Sequence, residues 1–167
     1  MSEFLRRVAM KKGFIAVVLV MLGTVMGKKM SEKYWKDKNS KEHEMSEKHF
    51  ALFLMMNQWV KVKQERKQIA EYLKNNGYKK IAIYGMSYAG ETLVDELRGT
   101  DITVSYGIDK NADMIYSFID VLNMDDELKM VDVVVVTSIT VFDEIKQNIK
   151  KRMNCPVISL EDILYEL

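Results

Sequence analysis

A single cysteine, Cys155, rules out an internal disulfide, and the two histidines, His43 and His49, stand six residues apart with no further ligand at zinc spacing. No covalent or metal staple is open to the fold, so a hydrophobic core must hold it. Strong net charge is missing too: 25 Lys and Arg against 24 Asp and Glu leave +1, which gives no electrostatic footprint for a nucleic-acid partner. Low hydrophobicity, the mark of disorder, is also absent, since 48% of residues are hydrophobic and 29% charged. A length of 167 residues and 19.4 kDa suits one ordinary domain with some residues over, which excludes a multidomain enzyme.

The near-neutral total conceals a division. Residues 1–80 hold 18 Lys or Arg against 8 Asp or Glu, a balance of +10, whereas residues 81–167 hold 7 against 16, a balance of −9. The pattern divides the chain into a membrane anchor with basic flanks (1–29), a charged tether with an amphipathic helix (30–78) and a compact α/β unit (79–167).

Residues 13–27, GFIAVVLVMLGTVMG, run for 15 positions without a charge between Lys11-Lys12 and Lys28-Lys29. As a helix this stretch measures roughly 22 Å, short of the ~30 Å hydrocarbon core, so spanning needs bilayer thinning or snorkelling lysines. A signal peptide is the rival reading, with Arg6, Arg7, Lys11 and Lys12 as its basic region, but only Val25-Met26-Gly27 approximates a cleavage site. An interfacial or buried helix fits less well, because the run is apolar on every face. Four basic residues lie upstream and six downstream (Lys28, Lys29, Lys33, Lys36, Lys38, Lys41). That excess orients a single-pass inner-membrane protein with its carboxyl-terminal domain in the cytoplasm. Gly23 and Gly27 form a G-x-x-x-G through which two anchors could pack.

Residues 30–49 are charged and contain neither glycine nor proline, which suits a solvated helix, with Tyr34 and Trp35 as candidate interfacial anchors. From Ser46 to Asn76 the spacing of Leu52, Met55, Met56, Trp59, Val62, Ile69 and Leu73 predicts one long helix closed by Gly77. Its first half is apolar around much of its circumference. Phe50 to Val60 is therefore expected either to pack wholly on the domain's own sheet or to meet a protein partner or second copy.

Lys79 to Tyr84 reads as a strand, Gly85-Met86-Ser87-Tyr88-Ala89-Gly90 as a tight turn, and Tyr88 to Leu97 as a helix. Further strands are predicted at Ile102 to Ile108, near Phe118 to Leu122, at Val131 to Thr137 and at Pro156 to Ser159, with helices at Val141 to Arg152 and Glu161 to Leu167. Strands alternating with helices imply an α/β fold with a three-layer parallel sheet in the order 3-2-1-4-5. Gly85, Ser87 and Gly90 occupy the three positions of G-x-G-x-x-G, and Asp109 ends the next strand 19 residues after Gly90. The pattern resembles that of Rossmann nucleotide-binding units. It departs at Ser87, whose Cβ narrows the space a pyrophosphate needs, so a smaller or differently placed nucleotide stays open beside full NAD binding.

The candidate binding residues are Gly85, Met86, Ser87, Tyr88, Gly90, Asp109, Thr137 and Ser138, with Asp109 placed to accept hydrogen bonds from a ribose diol. Each has a plainer reading: the glycines as packing devices, Asp109 as a turn residue, Thr137, Ser138 and Thr140 as helix caps. No catalytic residue and no metal ligand is assigned. Tyr-x-x-x-Lys, the proton-transfer spacing of short-chain dehydrogenases and sugar epimerases, occurs at Tyr34/Lys38, before the Gly turn, and at Tyr106/Lys110, across the end of the second strand, whereas those families carry it far downstream of that turn; Cys155 has no histidine following it.

Residues 79–167 are similar to the nucleotide-sugar-binding Rossmann half of bacterial sugar acyltransferases and to small membrane-tethered proteins of bacterial surface-polysaccharide loci. The likeness rests on the strand, the Gly85 to Gly90 loop, Asp109 and the Val133 to Thr137 strand. It implies a membrane-anchored, non-catalytic module that binds a nucleotide or nucleotide-sugar, with NAD(P) or a UDP-sugar as candidate ligand, beside polysaccharide-assembly enzymes. An epimerase- or dehydrogenase-type NAD(P) subunit completed by a partner is the alternative, and a structural adaptor without ligand is the third.

Overall fold

The computed structural model describes the backbone of residues 2–167 and the side chains of residues 27–167. The anchor expected at 13–27 lies, but for Gly27, outside the described side chains; among the described residues no helix is long and apolar enough to cross a membrane. The chain forms two units, Met1–Glu47 and Lys48–Leu167.

In the first unit, residues 27–47 belong to helix α1 (Ser2–Gln64) and are exposed throughout. A helix with no apolar face leans on contacts one turn apart. Lys38 lies 3.9 Å from Glu42 and His43 3.5 Å from Glu47, while Lys38 Nζ sits 5.3 Å from the Trp35 ring centre.

In the second unit every residue of the run Val133-Val134-Val135-Val136 is buried, as a strand covered on both faces must be. This is β4, between β1 (Lys80–Tyr84) and β5 (Val157–Ser159); β2 (Thr103–Ile108) and β3 (Val121–Leu122) follow on the other side of β1. The order β3-β2-β1-β4-β5, parallel throughout, is the one expected from right-handed crossovers. Helices α2 (Ile69–Asn75), α3 (Tyr88–Leu97) and α5 (Leu160–Glu166), with the end of α1, cover one face through Trp59, Leu73, Leu93 and Ile163 against Ile81, Ile83 and Val135. Helix α4 (Phe142–Lys150) covers the other, with Ile145 and Ile149 on Ala82, Tyr106 and Val134.

Pairing along β1 and β2 passes from Ile81↔Val104 to Ala82↔Tyr106, so Ser105 is an extra residue in a bulge. The bulge sends Val104 to the α3 side and Tyr106 to the α4 side, which strict alternation would forbid. Ser105 Oγ is left buried without a hydrogen-bond partner.

The single helix expected from Ser46 to Asn76 is two. Helix α1 ends at Gln64, Arg66 adopts φ +62°, and the N–H groups of Arg66 and Lys67 return to the carbonyls of Lys63 (3.0 Å) and Val62 (3.1 Å). This is a Schellman end with arginine in the left-handed position usually taken by glycine. Gly77 (φ +81°) closes α2 in the same way, with Tyr78 N–H on Leu73 O at 2.9 Å.

The segment Phe50 to Val60 does not pack wholly on the domain's own sheet. Met55 and Trp59 are core residues, while Phe50 (63%), Phe53 (64%) and Val60 (53%) are exposed on the opposite side of the helix. The apolar excess read from the sequence is an outward stripe rather than a deeper core.

Asp132, just before β4, accepts N–H bonds from Lys79 (2.9 Å) and Lys80 (2.7 Å), and these bonds hold its carboxyl below the ordinary carboxylate range. A carboxylate whose pKa is depressed by folding adds stability above its unfolded pKa and loses it as pH falls through the folded value. Asp132→Asn is therefore expected to flatten the acid limb of the melting-temperature profile while leaving its shape above neutral pH unchanged. Equal pH slopes for the two proteins below pH 5 would contradict this.

Candidate functional site

The parallel sheet brings the carboxyl ends of β1, β2 and β4 to one edge, and the sequence places a turn residue at each. After β1 the chain must swing sharply into α3. Gly85 does this at φ +94°, and a Cβ there would lie 2.5 Å from Thr137 Oγ1, so both conformation and space demand glycine. Gly85 N–H donates to Ile108 O (2.8 Å), and the buried Thr137 hydroxyl donates to Gly85 O (2.7 Å), fixing the turn from both neighbouring strands. Gly90, in the first turn of α3, packs directly on this peptide: its Cβ would meet Gly85 O at 2.2 Å.

Asp109 binds the same turn. Its Oδ2 accepts the Met86 N–H at 3.0 Å and its Oδ1 the Asn111 N–H at 2.9 Å. Each oxygen keeps lone-pair capacity for one more donor, as a diol would supply. The Met86 side chain turns inward and is buried, over Gly107, where a Cβ would meet it at 2.6 Å. Ser87 is the N-cap of α3 without using its side chain as a cap.

Of the sequence-predicted residues, Gly85, Ser87, Asp109, Thr137 and Ser138 line one crevice of about 390 Å³. Tyr88 joins Ser87, Thr137 and Ser138 in an adjoining hollow of about 300 Å³, walled also by His49 and Leu52. Met86 and Gly90 line neither and act behind the wall, as packing. The crevice is lined also by Lys48, Tyr84, Lys110, Val141, Glu144, Ile145 and Asn148, none of them named for the site from sequence. Two of these had a signal, being the neighbours of Gly85 and Asp109. Glu144 and Asn148 lie one turn apart on α4.

Burial first, then the carboxylates of Asp109 and Glu144, push the Tyr84 hydroxyl above its ordinary pKa. At neutral pH it is a neutral donor and acceptor. Tyr106 and Lys110 are not brought together: Tyr106 is in the α4-side core, its hydroxyl on Lys129 O, and burial lifts it to about 12, whereas Lys110 lines the crevice. Burial also pushes the Cys155 thiol up, away from the reactive thiolate. Among the described residues no group of three or more acidic, histidine or cysteine side chains could hold a metal.

No family model, curated protein or solved structure matches the chain. The sheet order and parallel pairing define an α/β protein, in a layout compatible with a Rossmann-like fold.

Proposed function

We propose that the chain is a membrane-tethered, non-catalytic binding module whose ligand is a nucleotide or nucleotide-sugar, with NAD(P) and UDP-sugars as the ligands to try. The observation that carries this reading is the convergence of Gly85, Ser87, Asp109, Thr137 and Ser138 on one crevice at the carboxyl edge of the sheet, where open α/β sheets bind ligands. Asp109 would take the sugar diol, and the first turn of α3 with Ser87 would face the phosphate. In this reading Asp109 holds a ligand rather than moving a proton, since its carboxylate is already engaged by two backbone donors. In this reading the run at 13–27 tethers the domain on the cytoplasmic side, in the polysaccharide-assembly setting that the family resemblance implies.

Thermal shift on the detergent-solubilised chain tests it. A ligand at 100 times its dissociation constant stabilises by about 2.7 kcal/mol, a shift of roughly 10 °C for a domain of this size. Asp109→Asn is expected to remove most of that shift for ribose-bearing ligands. Flat curves for NAD, NADP and UDP-sugars alike would leave the adaptor reading, which the exposed Phe50, Phe53 and Val60 favour.

A further inference from the structure

Away from the crevice, the chain between β2 and β3 carries three large apolar side chains almost wholly in solvent: Met114 (82% exposed), Tyr116 (97%) and Phe118 (87%). Scattered exposed hydrophobics need no explanation, but three within five residues form a patch. Tyr116 and Phe118 wall a cavity of about 340 Å³ whose opposite side is α3, through Glu91, Val94 and Asp95. Glu91 and Asp95 are four apart on that helix; Asp95 is paired with Arg98, which leaves Glu91 as the carboxylate that a further cation would meet.

One cation already shows that the surface suits such a group. The Arg98 guanidinium lies 4.4 Å from the Phe118 ring centre and donates to Asp95 Oδ1 at 2.7 Å. It does not line the cavity, which retains the Glu91 carboxylate, the Tyr116 ring and the remaining surface of Phe118. Aromatic faces and carboxylates together select ammonium and guanidinium groups. The balance of −9 over residues 81–167 repels anionic surfaces and attracts basic ones.

We propose that the cavity formed by Glu91, Asp95, Tyr116 and Phe118 docks a lysine or arginine side chain from a basic segment of a partner protein. The cation would lie against the two rings and meet the Glu91 carboxylate beside the Asp95–Arg98 pair, and the flanking aliphatic stem would cover Met114 and Tyr116.

The test uses the full chain in detergent and a fluorescently labelled ten-residue oligolysine, followed by anisotropy. Binding is expected to weaken with salt, and Phe118→Ala and Glu91→Gln should each weaken it about three- to five-fold, the range for an exposed cation–π or ion contact. Asp143→Asn, which removes the same charge from α4, should leave it unchanged, and Arg98→Ala should leave it unchanged or tighten it. Equal weakening by Asp143→Asn would show mere attraction to an acidic surface and overturn the proposal. So would no effect of Phe118→Ala, weaker binding in Arg98→Ala, or spermidine competing as well as the peptide at equal charge.

Discussion

Gly90→Ala is expected to lower the unfolding free energy of the Lys48–Leu167 unit by about 2–3 kcal/mol. Two effects oppose each other. Alanine is a better helix former than glycine by about 1 kcal/mol, and an open position in α3 would show that gain. At residue 90, however, the new Cβ would stand 2.2 Å from Gly85 O, a backbone atom that accepts a hydrogen bond from Thr137 and cannot swing aside. Helix and turn must separate, and overpacking of this kind costs typically 1–3 kcal/mol and occasionally more, which outweighs the helix gain. The melting temperature should fall by about 10 °C. Gly77→Ala is the comparison: its φ is +81° but nothing lies within 4 Å of its Cβ, so only left-handed strain of about 1 kcal/mol is added. If the two variants melt together, close packing is not the reason for glycine at 90.

The sheet order was legible because alternating βα units leave few topologies once crossovers are right-handed, and because Val133 to Val136 can only be an interior strand. Helix α3 was legible to the residue, since Gly85 and Ser87 punctuate its start. The break at Arg66 was not: a helix end announced by glycine can be read, but one closed by arginine at φ +62° has no compositional mark. Part of the crevice was legible for a related reason. Residues at strand ends are placed by topology alone, so Gly85, Asp109 and Thr137 could be named, whereas Glu144 and Asn148 enter through the rotation of α4, which its amphipathic pattern fixes only after the sheet is built. Met86 and Asp109 show the further limit. Spacing put Met86 in the turn and Asp109 at the end of the next strand, but not that the methionine turns inward over Gly107 or that the carboxylate spends one oxygen on the Met86 N–H.

Trp59→Ala should have the largest effect of any single change in the domain. Trp59 is 3% exposed, in the contact between α1 and α3, and its indole N–H donates to Glu96 Oε2 at 2.6 Å, while Lys63 Nζ lies 3.0 Å from Glu96 Oε1. Removing a buried indole costs about 3–5 kcal/mol through lost burial and the cavity left behind. Glu96, whose side chain is only 12% exposed, then loses a charge-assisted donor, adding about 1–2 kcal/mol, since Lys63 still faces its other oxygen. The sum approaches the whole stability of an ordinary domain, about 5–15 kcal/mol, so the urea midpoint should fall by about 2 M or the unit should fail to fold. Trp59→Phe separates the two contributions: most of the apolar area stays and the donor goes, so a loss of about 1–2 kcal/mol is expected, reduced further in the Glu96→Gln background where no charge is stranded. Should the phenylalanine variant lose as much as the alanine variant, the hydrogen bond to Glu96 and not the packed ring would be what joins α1 to α3. The hollow beside the crevice depends on that junction, because His49 and Leu52 of α1 form its far wall. Loosening α1 should therefore weaken ligands that reach past Ser87 toward Tyr88 more than those held at Asp109 alone.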